Sequence, residues 1–215
     1  MSESDSFIEE VSEEVRRDRL FKLFKKYGWV LALLVIVIVG GTAYNEWTKS
    51  QKQAEARQAG DLMRAAIAAK DAEAMAALAQ SGKDSAVLAR LEQANLLYEA
   101  GDNNAAVEVL LEVANDTGAP VVYSDLAWLK VVMLDGENMT DSERNDAYDR
   151  LTSPDAPYRP LALEQLAMQY VRDGNPEEAK KELALILTEQ AAPPALRNRA
   201  QQLIVALGGD AGASQ

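Results

Sequence analysis

Polar and apolar positions alternate along this chain in three different ways. Residues 1–26 carry many charges and a sparse apolar stripe, in which Phe7, Val11 and Val15 recur every fourth residue and share one narrow helical face. Between Lys26 and Glu46 no residue is charged. A helix over this 19-residue run is about 28 Å long, close to the ~30 Å of a bilayer's hydrocarbon core. Its centre, residues 30–39, reads VLALLVIVIV with no polar stripe, and Tyr27, Trp29, Tyr44 and Trp47 bracket it as interfacial rings do. The pattern predicts a transmembrane helix over 27–47.

Beyond it, short polar turns interrupt helix-period stretches about every fifteen residues, and β-branched alternation is nearly absent. The chain should be all-α: a single N-terminal transmembrane helix followed by a tetratricopeptide-repeat-like α-solenoid over 48–207. Two segments carry the repeat. Ala94, Leu97, Gly101, Ala106, Leu110 and Val113 share their spacing with Ala167, Tyr170, Gly174, Ala179, Leu183 and Ile186. Gly turns the chain between two helices, and Ala lets them touch. Asn175, Pro176 and Glu178 read as an N-cap, a first helical residue and a capping box.

The 73 residues from Gly101 to Gly174 leave room for a degenerate middle unit around Ala127 to Gly136, with a capping box at Thr140 to Glu143. An Ala-rich helical pair broken near Lys70 and Asp71 reads as a first, atypical unit. Pro193 and Pro194 precede a capping helix ending near Leu207, and residues 208–215 should be a disordered tail. In the N-terminal segment, Ser6 and Glu9 fit a capping box, so the Phe7, Val11, Val15 face is a candidate contact with membrane or protein.

Charge adds orientation. Residues 12–26 hold six Lys or Arg and residues 46–60 hold three, so the N-terminus is expected in the cytoplasm and the solenoid in the periplasm of a bacterial inner membrane. A cleaved signal peptide, with Gly41, Thr42 and Ala43 as its small-residue site, is disfavoured because the basic flank follows a long extension. The formal charge is −12 (22 basic minus 34 acidic), of which residues 46–215 hold −11 (16 minus 27). So acidic a surface disfavours nucleic acid as a partner.

The chain has no Cys and no His, which excludes disulfides, thiolate and imidazole metal sites, Cys nucleophiles and Ser-His-Asp triads. No cofactor or small-molecule substrate is expected. The acidic run Asp135, Glu137, Asp141, Glu143 and Asp146 fails the EF-hand pattern, having Thr140 and Asp146 where Gly and Glu are needed. A peptide carboxylate clamp needs Lys, Arg and Asn along the groove, whereas the groove positions hold Leu91 and Asn95 in one unit and Glu164 and Met168 in another. These four are the candidate partner-binding residues of the solenoid, alongside Phe7, Val11 and Val15 of the N-terminal face.

Leu23-Phe24-Lys25-Lys26-Tyr27-Gly28 leads into the apolar run, Gly40-Gly41 leaves it, and Trp47, Gln51 and Ala54 follow. With the repeats, this layout resembles the YfgM-like ancillary subunits of the SecYEG translocon, over roughly residues 7–207. The resemblance implies a single-pass protein that associates with the translocon and a membrane-anchored, PpiD-like periplasmic chaperone. The charge-segregated N-terminus and strongly acidic solenoid depart from that pattern. A non-enzymatic, membrane-anchored adaptor is the leading expectation. The rival is an accessory or assembly subunit of another inner-membrane complex, for example a respiratory one, held through the transmembrane and N-terminal helices.

Overall fold

A computed structural model describes residues 3–81, 85–136 and 138–209, with the side chains of α1 described at 25, 26, 29, 30, 33, 34 and from 36 onward. Among these residues every regular element is a helix: α1 Glu3–Ala69, α2 Ala72–Ala79, α3 Ala86–Glu99, α4 Asn103–Ala114, α5 Val121–Asp135, α6 Asp141–Leu151, α7 Arg159–Arg172, α8 Pro176–Thr188 and α9 Pro194–Ala206. The chain divides into two compact units, residues 1–58 and 59–215.

In the first unit α1 begins at Glu3, upstream of Ser6, so the capping box expected at Ser6 does not start the helix. The side chains of Phe7, Val11 and Val15 lie outside the described residues. Of the apolar run, Val30, Leu33, Leu34, Ile36, Val37, Ile38 and Val39 are described, and all seven are exposed. At roughly 100° per residue they fall all the way round the helix, leaving no gap wider than about 100°. Trp29, Tyr44 and Trp47 flank them, also exposed. Among the described residues no helix is long and apolar enough to cross a membrane. The side chains of residues 27, 28, 31, 32 and 35, within the same run, are outside the description.

In the second unit consecutive helices pack on one another, from α2 on α3 to α8 on α9. The odd-numbered helices also touch in series, α3 with α5, α5 with α7 and α7 with α9, while among the described residues α4, α6 and α8 make no such contacts. One row of helices is therefore drawn together on one face. The turns explain the regularity. After α3, Gly101 has φ 86°, its N–H donates to Tyr98 and the next N–H, of Asp102, donates to Leu97. After α7, Gly174 has φ 76° and the same two bonds join it to Val171 and Asn175 to Tyr170. This is the Schellman arrangement, which needs a left-handed residue and so selects glycine. The α1–α2 turn uses the same bonds, Lys70 to Ile67 and Asp71 to Ala66, but puts Lys70 at φ 53°.

Helix starts follow two routes. Asp71 and Asp102 accept N–H bonds from Ala74 and Ala105 through their side chains, and Thr140 with Glu143 forms the expected capping box. Asn175 stands at the N-cap of α8 but makes no side-chain cap bond. Glu178, expected to complete a box there, instead faces Lys181 at 3.7 Å. Core packing is modular: α3, α4 and α5 share one cluster around Leu110, Val113 and Val131, and α7, α8 and α9 share another around Leu163, Leu183 and Ile186. A smaller cluster with Leu151 joins α5, α6 and α7, and Met75 packs against Ala66 and Leu96.

Candidate protein-docking face

The row of odd-numbered helices carries the predicted groove residues, but not all of them face outward. Leu91 is buried in the α3–α5 core. Glu164, also buried, receives both Nε and Nη2 of Arg199 at 2.8 and 2.7 Å, locking α7 to α9. The bond and charge of Glu164 raise the Arg199 pKa above its usual value. Met168 is half-buried. These two core-facing positions are corrections to a simple groove. A repeat register sets which way a helix faces, but the tilt between neighbouring helices decides how far each residue turns inward.

Asn95 is the member left lining a cavity. Its amide nitrogen donates to Glu92 at 3.1 Å and its carbonyl oxygen accepts from Lys130 Nζ, on α5, at 2.5 Å. A cleft of about 170 Å³ opens above this pair, lined by Ala94, Tyr98, Met133 and Leu134 as well. Tyr98 and Met133 are 52% and 58% exposed. Lys130 was not among the residues singled out from sequence. The signal for it was present, because Asn95 to Lys130 spans 35 residues, the same interval as Gly101 to Gly136.

The remaining aromatic residues serve the core. Tyr148 is 3% exposed, and burial pushes its pKa up to about 12. Tyr123, Trp128, Tyr158 and Tyr170 pack at the edges of the clusters. In the acidic turn three of the carboxylates have local partners. Asp135 accepts from Asn138, Asp141 pairs with Arg144, and the Thr140 hydroxyl and backbone hold the Glu143 carboxyl below its usual pKa. Among the described residues no group of acids is arranged to hold a metal ion.

A second knot of charge lies between α5 and α6. Asp125, 3% exposed, accepts from Arg150 Nε at 2.7 Å, and Arg150 also donates to Ser124 at 2.9 Å. Arg159 pairs with Glu189 and donates to the Thr152 carbonyl, while Arg197 donates to the Glu189 and Gln190 carbonyls. These arginines fasten loops between helices. Electrostatically this face carries locked pairs, with an apolar cleft beside Lys130.

No curated protein and no solved structure matches the chain. A family model covers residues 5–207, taking in the N-terminal helix and every helix of the second unit, and the chain belongs to that family, described as Protein of unknown function (DUF2659).

Proposed function

We propose that this protein is a non-enzymatic, single-pass adaptor of the bacterial inner membrane. Residues 27–47 span the bilayer with the N-terminus cytoplasmic, and residues 48–207 form a periplasmic tetratricopeptide-like solenoid that binds another protein. The observation that carries the reading is the ring of seven exposed Val, Leu and Ile residues on α1 between 30 and 39. In water such a surface drives aggregation, whereas a lipid environment covers it on every side at once. The Lys and Arg excess before the run orients it.

The solenoid's part rests on its repeated helical hairpins and on the exposed Tyr98–Met133 cleft of one face. The buried charges are already committed to arginines, which favours binding over catalysis as the task of that face. The translocon and a periplasmic chaperone remain the partners favoured by the overall layout. In-cell crosslinking from the solenoid, followed by purification from gently solubilised membranes, tests the proposal. Recovery of translocon or chaperone subunits is the expected result, and their absence removes that partner assignment. Removing residues 1–20 should leave the partner bound; its loss would favour the reading in which the N-terminal helix anchors a different membrane complex.

A further inference from the structure

The array of the second unit opens with an Ala-rich hairpin. Residues 59–69 of α1 turn at Lys70 into α2, and the pair packs on α3 through Met75, which meets Ala66 and Leu96. Beside that contact the two helices leave a groove of about 490 Å³, walled by Leu62, Ala65 and Ala69 on α1 and by Ala74, Ala77 and Leu78 on α2. Leu62 is 49% exposed, and Ala65, Ala69 and Ala77 are exposed with it. The last helix of the array differs, because the open side of α9 carries Asn198, Gln201 and Gln202 around Val205. Terminal units of a stacked array need a polar outer face to stay soluble, and the first hairpin has none in this groove. Charge marks its rim. Asp71 lines the groove, Glu73 stands one turn before Ala77, and among the described residues no cation pairs with either. The hairpin's own cations are taken: Arg64 pairs with Asp61, and Lys70 with Glu99 at 3.2 Å.

Resting on the adaptor reading, we infer that this groove docks an amphipathic α-helix of another protein, whose leucine-sized side chains fill it and whose Lys or Arg residues meet Asp71 and Glu73. The walls decide the conformation. Both are helices, whose backbone groups bond along their own axis, and apart from Asp71 the lining side chains are Ala and Leu. An incoming segment therefore finds no backbone ladder to join and must satisfy its own N–H and C=O groups, as a helix does. Small residues let it come close, since the distance between packed helices, about 8–10 Å, is set by the side chains at the contact. Leu62 and Ala69 are seven positions apart on α1, about 10 Å or two turns, which matches knobs at i, i+3, i+4 and i+7 of the docked helix. The rim decides the partner. A second copy of this hairpin would set Asp71 and Glu73 against their own kind, and anionic lipid is repelled in the same way, whereas a basic flank is complementary.

Fluorescence anisotropy on the full-length protein in nanodiscs tests this with a labelled, hydrocarbon-stapled helix, Lys-Lys-Leu-Ala-Gln-Leu-Leu-Ala-Gln-Leu-Ala-Gln-Lys-Lys, against empty nanodiscs. An isomer with its four leucines distributed around the helix should bind about ten- to a hundredfold more weakly, the worth of one buried leucine. Ala65→Trp and Ala77→Trp, which fill the groove from exposed positions, should each abolish binding. Glu73→Lys should weaken the Lys-flanked helix about three- to fivefold and favour a Glu-flanked one. Melting temperatures of the variants confirm that each is folded. Equal binding of the isomer, binding that survives both Trp variants, or a Lys preference that survives Glu73→Lys overturns the assignment. Binding no greater than to empty nanodiscs also overturns it, as does a dimer that Ala77→Trp dissociates in sedimentation, which would make the occupant a second copy. The adaptor reading is judged separately by its crosslinked partners. Their recovery from an Ala77→Trp strain would remove the groove as their dock and leave the adaptor, and their absence from wild type that still binds the helix would remove those partners and leave the groove.

Discussion

Replacing both Ile36 and Ile38 of α1 by Lys is expected to release the protein from the membrane. The seven exposed apolar residues described between 30 and 39 each favour insertion by about 0.3 to 0.6 kcal/mol, together roughly 2 to 4 kcal/mol. A Lys near the helix centre costs about 2.5 to 3.5 kcal/mol, and each substitution also forfeits the Ile contribution, so two cost roughly 6 to 8 kcal/mol. The sum changes sign. One substitution brings insertion close to balance, and two shift it by about four to six powers of ten at ~1.4 kcal/mol each. Alkaline carbonate extraction reads the outcome: wild type in the pellet, the single Ile36→Lys variant divided, the double variant in the supernatant. Leu185→Lys, on an exposed position of α8, should leave the fractionation unchanged. Release of the wild type by carbonate, or retention of the double variant, would refute the argument that this helix surface is covered by lipid.

Three further outcomes concern the solenoid. Leu183→Ala should destabilise the second unit by about 2 to 5 kcal/mol, because Leu183 is 1% exposed amid Leu163 and Ile186; chemical denaturation checks it. Gly174→Ala forces a left-handed turn on a residue with a Cβ and should cost about 1 to 2 kcal/mol, whereas Lys70→Gly relieves that same conformation and should raise the melting temperature. Acidification should loosen the start of α6. The folded Glu143 pKa lies below its ordinary 4.5, so its cap is fully present above that value and is lost as pH falls through the lowered one. Amide exchange in the first turn of α6 should rise across that window, and Glu143→Gln should abolish the pH dependence.

Much of the helical layout was legible because backbone requirements leave marks at fixed spacing. A left-handed turn selects Gly101 and Gly174, and close helix contact selects Ala106 and Ala179 five residues later. The Lys70–Asp71 break was readable from the cap-forming Asp alone, although Lys70 carries the positive φ that glycine usually takes. The α8 start was misread in detail, since Glu178 had a choice between the backbone behind it and Lys181 ahead of it. Side-chain pairs between helices were harder. Asn95 with Lys130 and Glu164 with Arg199 each span 35 residues, and Asp125 with Arg150 spans 25, so their meeting depends on which faces are pressed together. Leu91 went to the core for the same reason.

The slender middle of the solenoid bears on how it comes apart. Helix α6 buries only Ala147, Tyr148 and Leu151, and the small cluster around Leu151 is what links the α3–α5 core to the α7–α9 core. In a stacked array each unit is stabilised by its neighbours, so cooperativity extends only as far as the weakest junction allows. This junction divides the array into two foldons, each with a full hydrophobic cluster, joined by a polar helix that Arg150 ties to the buried Asp125 of α5. A pull on one end of the solenoid would open that seam first, leaving both flanking cores and their turns intact to close again when the load is released.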